Sequence, residues 1–238
     1  MRKNPLTMWG RIDRCWLFTF QTPPEEVASL LPAGMELMIH NGKAFWNAVV
    51  CRVGAMRPKP LPSLVGVSYW HVAYRLYASV RPTVGEPIPG LYFLRSDCDS
   101  RLMAWAGNLM TDFHFHAAGI KVHETERRVE ISIDVPGGSA SVIVDRSESP
   151  VLPEGSAFGS LEEAKETLKY HPAGLSAGGE GRANVVHITR DESKWNARLA
   201  TVAESRWEFL EDKNVRPEIC YDVDPIVYQW NRGRLYDV

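Results

Sequence analysis

Apolar and polar residues alternate along much of this chain, which is the pattern of half-buried β-strands. Between positions 70 and 80 every even position is apolar. The odd positions of the same segment carry a base, a cation, a phenol and a hydroxyl: His71, Arg75, Tyr77 and Ser79. Residues 128–145 alternate in the same way on both sides of a Pro-Gly-Gly-Ser turn, which predicts a β-hairpin.

Helical spacing is confined to three short segments. Residues 22–25 and 160–163 have the spacing of a capping box, and Asp99 or Ser100 is placed to cap a helix between them. We expect the last of these helices to reach about Tyr170. The middle helix has an apolar stripe that we expect in the core: Leu102, Met103, Trp105, Ala106, Leu109 and Met110. Many strands with few short helices indicate a mainly β (α+β) fold with an antiparallel sheet, closed or sandwiched.

The segment Asp112-Phe113-His114-Phe115-His116 carries the most suggestive chemistry. On a β-strand, Asp112, His114 and His116 share one face, and the two phenylalanines pack behind them. Two imidazoles beside a carboxylate suit proton transfer, metal ligation or anion binding. The simpler interpretation is the polar outer face of a half-buried strand, and periodicity alone favours that interpretation.

Composition excludes several classes of function. A length of 238 residues, with no linker-like change in composition, favours one domain over residues 1–238. The net charge of −2 gives no basic footprint for nucleic acid, and no apolar run reaches the about 18 residues that predict a membrane span. The four cysteines are widely spaced, which argues against a disulfide framework and favours a cytoplasmic location. The sequence leaves assembly into a homo-oligomer open.

Local motifs for metals, phosphates and nucleophiles are incomplete or missing. His114-x-His116 lacks the nearby glutamate of a cupin site, since the next acidic residue is Glu124, and we expect no bound metal. The glycine-rich residues 176–181 match neither common phosphate-binding pattern and predict a hairpin loop. No Gly-x-Ser-x-Gly elbow occurs. We therefore expect no cofactor.

Seven short stretches, taken in order and spacing, resemble one family. They are FTFQTP (18–23), LLPAGMEL (30–37), NGKAFW (41–46), RPKPLP (57–62), YRLY (74–77), GLYF (90–93) and SLEE (160–163). Over most of residues 9–190 the chain is similar to an uncharacterised branch of the acetoacetate decarboxylase-like superfamily (domain of unknown function 2071). This resemblance implies a largely antiparallel, closed β-barrel with a central ligand cavity and a few short peripheral helices.

The chain departs from the decarboxylase pattern where those enzymes carry their catalytic lysines. Decarboxylases have a Gly-Arg-Glu helix and then a Pro-Lys-Lys strand, and one lysine forms a Schiff base with the keto acid. By the resemblance, Phe115 and His116 stand in the places of these lysines, and Lys121 is the nearest lysine. The resemblance further implies that His71 replaces the pocket glutamate and that Arg14, within about a residue, is the pocket arginine. Because an imine needs a primary amine, we do not expect imine-based decarboxylation.

Two functions fit these residues. The first is a protein that binds a hydrophobic or weakly acidic small molecule in the central cavity. Its ligand-binding residues would be Arg75, Arg14, Tyr77 and Phe115. We favour this hypothesis, because the loss of the nucleophile is what a binding protein would show.

The alternative is a lysine-independent enzyme of the lyase, hydratase or isomerase type, acting on a small carbonyl or carboxylate compound. His116, His114 or His71 would be its general acid or base, and Asp112 would orient an imidazole. Both hypotheses require these side chains to converge on one cavity.

Overall fold

The computed structural model describes residues 4–238, and within that range the strands form one extended sheet. The strands are Met8–Thr22 (β1), Met35–Leu37 (β2), Ala44–Pro58 (β3), Val67–Val80 (β4), Ile88–Cys98 (β5), Phe115–Ala117 (β6), Gly119–Glu124 (β7), Arg128–Asp134 (β8), Ala140–Asp145 (β9), Ala173–Ala177 (β10), Arg182–Arg190 (β11), Ala197–Trp207 (β12), Arg216–Val223 (β13), Ile226–Trp230 (β14) and Arg234–Asp237 (β15). The predicted mainly β architecture is confirmed. The predicted hairpin forms from β8 and β9, and the glycine-rich loop joins β10 to β11.

Seven strands close into a hydrogen-bonded ring. Their order is β14, β11, β10, β5, β4, β3 and β1, and β1 then pairs with β14. Neighbours in the ring are antiparallel except β10 and β5, and the short β6 also pairs in parallel with β5. The strands β13, β12, β9, β8 and β7 continue from the second half of β1 as an antiparallel layer outside the ring.

Two hydrophobic cores lie on opposite faces of the ring strands that the outer layer covers. On β4, Tyr69, Ala73 and Tyr77 belong to the core inside the ring. Val72 and Tyr74, at even positions, belong to the core between the ring and the outer layer. The alternation read from the sequence therefore separates two buried faces, because successive side chains of a strand point in opposite directions.

Three short α-helices lie at the periphery: Pro24–Val27 (α1), Arg101–Met110 (α2) and Leu161–Thr167 (α3). Single 3-10 turns cover Ala28–Leu30, Ser63–Val65, Glu192–Lys194 and Glu208–Leu210. The predicted caps at Ser100 and Ser160 are confirmed, because each hydroxyl accepts from the amide three residues later. Thr22 does not cap α1. It ends β1, and its hydroxyl donates to the carbonyl of Lys213.

The apolar stripe of α2 was expected in the core, and this prediction is wrong for three of its six residues. Leu102, Trp105 and Leu109 are 58%, 65% and 50% exposed. The buried residues of the helix are Ala104 and Gly107 instead, and at Gly107 a side chain would collide with the ring of Phe115 on β6. No helix within residues 4–238 is long and apolar enough to cross a membrane.

Candidate functional site

A cavity of about 50 Å³ lies inside the ring, and six of the seven ring strands contribute to its wall. We call it the arginine pocket. Its lining includes Cys15, Cys51, His71, Arg75, Tyr170 and Arg190. Most of the remaining wall is aliphatic or aromatic, as in sites where a few polar groups orient a small ligand.

Arg75 carries a buried charge that has no acidic partner. Its odd position on β4 directs the side chain into the ring, and the residue is 3% exposed. One Nη2 hydrogen bond goes to Oδ1 of Asn47. The rings of Phe93 and Tyr170 have their centroids 5.3 and 5.8 Å from the guanidinium carbon. The Nε has no hydrogen-bond partner, and no carboxylate of the described chain forms an ion pair with Arg75.

These contacts compensate the guanidinium only in part. Cation–π contacts recover about 0.5–2 kcal/mol, whereas an unpaired buried ion costs several kcal/mol. A guanidinium is planar and presents parallel N–H groups, which match the two oxygens of a carboxylate. The arrangement around Arg75 therefore favours the binding of an anion.

A second cavity, of about 90 Å³, adjoins the arginine pocket and shares His71, Tyr228 and Trp230 with it. We call it the methionine pocket. Its apolar lining includes Met8, Met56, Met103, Met110, Phe113 and Phe115. The two pockets therefore lie side by side, one with a charged lining group and the other mainly apolar.

His71 lies on the wall between the two pockets. The ring of Phe115 stacks on its imidazole, with 5.3 Å between the centroids. Its Nε2 is buried and has no hydrogen-bond partner among the described residues. Burial, with a smaller effect from the positive charge of Arg75, lowers the pKa of His71 to about 3. The imidazole is therefore neutral near pH 7, where it is a weak proton acceptor but still a hydrogen-bonding group.

Cys15 and Cys51 are directly opposite each other on β1 and β3, and both line the arginine pocket. Burial raises the pKa of Cys51 to about 12, and the positive charge of Arg75 opposes this only in part. Burial also raises the pKa of Cys15. Both side chains are therefore thiols rather than thiolates, and neither is an activated nucleophile.

Arg190, unlike Arg75, already has an acidic partner. Its Nε and Nη2 donate to the two carboxylate oxygens of Glu192 at 3.0 and 3.2 Å. Its guanidinium carbon lies 3.4 Å from the ring centroid of Trp195 and 4.9 Å from that of Tyr170. Arg190 thus adds a positive charge to the arginine pocket, but Arg75 remains the cation that lacks a counterion.

Asn108, on α2, fixes Phe115 between the helix and β5. Its Oδ1 accepts from the backbone N–H of Phe115, and its Nδ2 donates to the carbonyl of Phe115, both at 2.7 Å. The side-chain amide of Asn108 therefore makes the two backbone hydrogen bonds that a neighbouring strand would make with Phe115. It holds the ring of Phe115 against His71.

Three of the predicted site residues, His71, Arg75 and Phe115, line the two pockets. Tyr77 is buried but lines neither pocket, and its hydroxyl donates to the carbonyl of Leu168 at 2.8 Å. The predicted pocket position of Arg14 is wrong. A register shift in β1 turns this side chain outward, where its Nε donates to Glu124 at 2.8 Å.

The Asp-Phe-His-Phe-His segment presents its phenylalanines to the methionine pocket and its polar side chains away from it. The expectation that its polar face meets a pocket is therefore wrong for Asp112, His114 and His116. The backbone of His114 has a φ of 51°, so β6 begins only at Phe115. His114 and His116 are exposed, as the simpler interpretation predicted. Nδ1 of His116 lies 3.4 Å from Oδ1 of the buried Asp97.

Asn47, Tyr170 and Arg190 reach the site from separate strands and loops, and the sequence does not predict their roles. No local motif marks them. Met103 and Met110 recur at helical spacing, but that pattern predicts core packing rather than a pocket wall. Within residues 4–238 no cluster of three or more histidine, cysteine or acidic side chains could hold a metal, and no described lysine lines either pocket.

Several solved structures share this fold. Acetoacetate decarboxylase from Legionella pneumophila has a TM-score of 0.63 and 12% identity, over 95% of this chain and 86% of that one. An acetoacetate decarboxylase-like enzyme from Sphingomonas wittichii RW1 has a TM-score of 0.59 and 13% identity, over 99% and 94% of the two chains. The fold is therefore that of the acetoacetate decarboxylase-like superfamily.

Residues 11–228 match the model of the DUF2071 family, described as an uncharacterized conserved protein. The chain belongs to that family. The enduracididine biosynthesis enzyme MppR, solved in complex with pyruvate, is a further structural relative. Its TM-score is 0.57 at 14% identity, over 99% of this chain and 91% of that one. Among functionally curated proteins, none matches the sequence significantly.

Proposed function

We propose that this protein binds a small organic carboxylate in the arginine pocket, with Arg75 as the partner of the carboxylate. The observation that carries this proposal is a guanidinium that is 3% exposed and has no acidic partner within the described part of the chain. A carboxylate would satisfy the Nε of Arg75 through charge-assisted hydrogen bonds, which are about twice as strong as neutral ones. The relative MppR, solved with pyruvate, supports a ligand of this chemical class.

His71 is the second group that a ligand would meet. Its neutral imidazole can donate to or accept from a polar atom next to the carboxylate, such as a keto or hydroxyl oxygen. The binding function is favoured over catalysis, because an imidazole whose pKa burial lowers to about 3 is a weak base and has no acidic proton to donate near pH 7.

The second candidate is a lysine-independent enzyme in which His71 is the acid or base. The unpartnered, buried Nε2 of His71 favours this candidate. A carboxylate bound beside His71 would raise the pKa of the imidazole, in opposition to the effect of Arg75. Deuterium exchange at the carbon next to the carbonyl of added 2-oxo acids tests it. Exchange that is lost in His71→Phe would support catalysis, and an unchanged rate would exclude His71 as the catalytic group.

The binding proposal is tested by calorimetry or ligand-detected NMR with pyruvate and acetate. We expect saturable binding to the unchanged protein and at least tenfold weaker binding to Arg75→Gln, since a charge-assisted contact is worth about 1.5–3 kcal/mol. Arg14→Gln is the matched control, because it also removes one arginine but at an exposed site outside both pockets. Equal binding to Arg75→Gln and to the unchanged protein would contradict the proposal, as would the absence of saturable binding.

A further inference from the structure

The two pockets adjoin each other, and this geometry places a limit on the shape of the ligand. The arginine pocket contains the unpartnered cation, and the methionine pocket has a mainly apolar wall. Three residues, His71, Tyr228 and Trp230, belong to both linings. A molecule anchored at Arg75 that extends past His71 would therefore reach the methionine pocket.

The composition of the methionine pocket indicates what that extension is made of. Four of its lining residues are methionines, which come from β1, β3 and α2. Methionine is unbranched and polarisable, so such a wall adapts to flexible alkyl chains of different lengths. The aromatic rings of Phe113 and Phe115 complete an apolar surface.

The size of the pocket sets a further limit. A cavity needs roughly 10–15 Å³, on the same measure, to hold one water molecule. The methionine pocket, at about 90 Å³, therefore has room for several carbon atoms in a row. The arginine pocket, at about 50 Å³, takes the carboxylate and its nearest atoms.

We infer that the ligand is an amphipathic monocarboxylate whose alkyl or aryl tail occupies the methionine pocket while its carboxylate binds Arg75. This inference rests on the proposed function and adds the chemical class of the tail. Very short acids such as acetate fill only the charged end. The affinity for straight-chain acids therefore increases with chain length. A carboxylate site without the methionine pocket would bind short and long acids equally well.

A series of straight-chain acids from acetate to decanoate, each below its micellar concentration, measures this dependence. By calorimetry we expect about fourfold tighter binding for each added methylene until the methionine pocket is full. Alcohols of matched length are the probes without a carboxylate. We expect each to bind at least tenfold more weakly than the corresponding acid, and we expect Arg75→Gln to remove this difference.

Variants on α2 separate the two ends of the site. Met103→Gln keeps the length of the side chain but makes the pocket wall polar, and we expect it to reduce the gain in affinity per methylene. Met103→Leu keeps an apolar wall and should retain the gain. Leu109→Gln is the matched control on the same helix, because Leu109 is 50% exposed and lines neither pocket.

The possible failures are distinguishable. If acetate and octanoate bind equally well, the inference about the tail is wrong, while carboxylate binding at Arg75 stands. If no acid of the series binds, the proposed function fails as well. If alcohols bind as tightly as acids and Arg75→Gln changes neither, the methionine pocket is an independent apolar site, and the inference of one ligand spanning both pockets is overturned.

Discussion

Arg75 is held in the interior at a cost to stability, because among residues 4–238 its only polar partner is the side chain of Asn47. Replacing buried ionic groups with apolar residues of similar size often stabilises a protein by about 1–4 kcal/mol. We expect Arg75→Met to raise the free energy of unfolding by about 1–2 kcal/mol. The gain lies in the lower part of the range because Asn47 loses its hydrogen bond with Arg75. Urea denaturation measures this change. A lower stability of Arg75→Met would mean that the folded protein already compensates the charge.

Because His71 is buried in its neutral form, we expect the folded protein to lose stability in acid. Its pKa is about 3 in the folded protein, against about 6.5 in an unfolded chain. Between these values the unfolded state binds more protons, so acid favours unfolding. The contribution of His71 to the free energy of unfolding is complete above about pH 6.5. Below that value it falls by up to about 1.4 kcal/mol for each pH unit. We expect His71→Phe to lose stability less steeply than the unchanged protein from pH 6.5 to 4.5 in urea titrations. Parallel curves would show that His71 is not held neutral.

At the scale of elements, α2 and β6 approach so closely that a glycine is required between them. A Cβ on Gly107 would lie 2.4 Å from the ring of Phe115. In an isolated helix Gly→Ala is stabilising by about 1 kcal/mol. Here we expect Gly107→Ala to destabilise the fold by about 1–3 kcal/mol, because the ring must move towards His71. Chemical denaturation measures this, with Leu109→Ala as the exposed control on the same helix. A stability gain in Gly107→Ala would contradict the close packing.

Some elements were predictable from the sequence because their signals are local. The alternation of residues 70–80 predicts strand β4 and places His71 and Arg75 on one face of it. Ser100, as a capping residue, predicts the start of α2. The position of Arg14 was not predictable, because the irregularity in β1 arises from its pairing with β3. The orientation of the Asp-Phe-His-Phe-His segment also depends on tertiary packing. Two phenylalanines gain more from burial than two histidines, and the alternating pattern alone does not say which face is buried.

At the scale of the whole molecule, β1 connects the ring to the outer layer. Its first half pairs with β14 and closes the ring, and its second half pairs with β13 and begins the outer layer. Its side chains alternate between the two cores: Leu17 lies in the inner core, and Trp16 and Phe18 lie in the outer one. A strand that belongs to both layers couples the pocket to a core that the ligand never contacts.

This coupling predicts that the ring and the outer layer unfold together. Ile131, on β8, is 2% exposed in the outer core, and we expect Ile131→Val to cost about 1 kcal/mol. If unfolding is cooperative, the slowest amides of both layers exchange about fivefold faster in Ile131→Val than in the unchanged protein. These amides then exchange only through global unfolding. Hydrogen exchange with mass spectrometry compares β8 and β9 with the ring strands β3 and β4. Lys121→Gln, an exposed change on β7, is the control and should leave all rates unchanged. Faster exchange confined to β8 and β9 would show that the outer layer opens alone, and the pocket would then be independent of it.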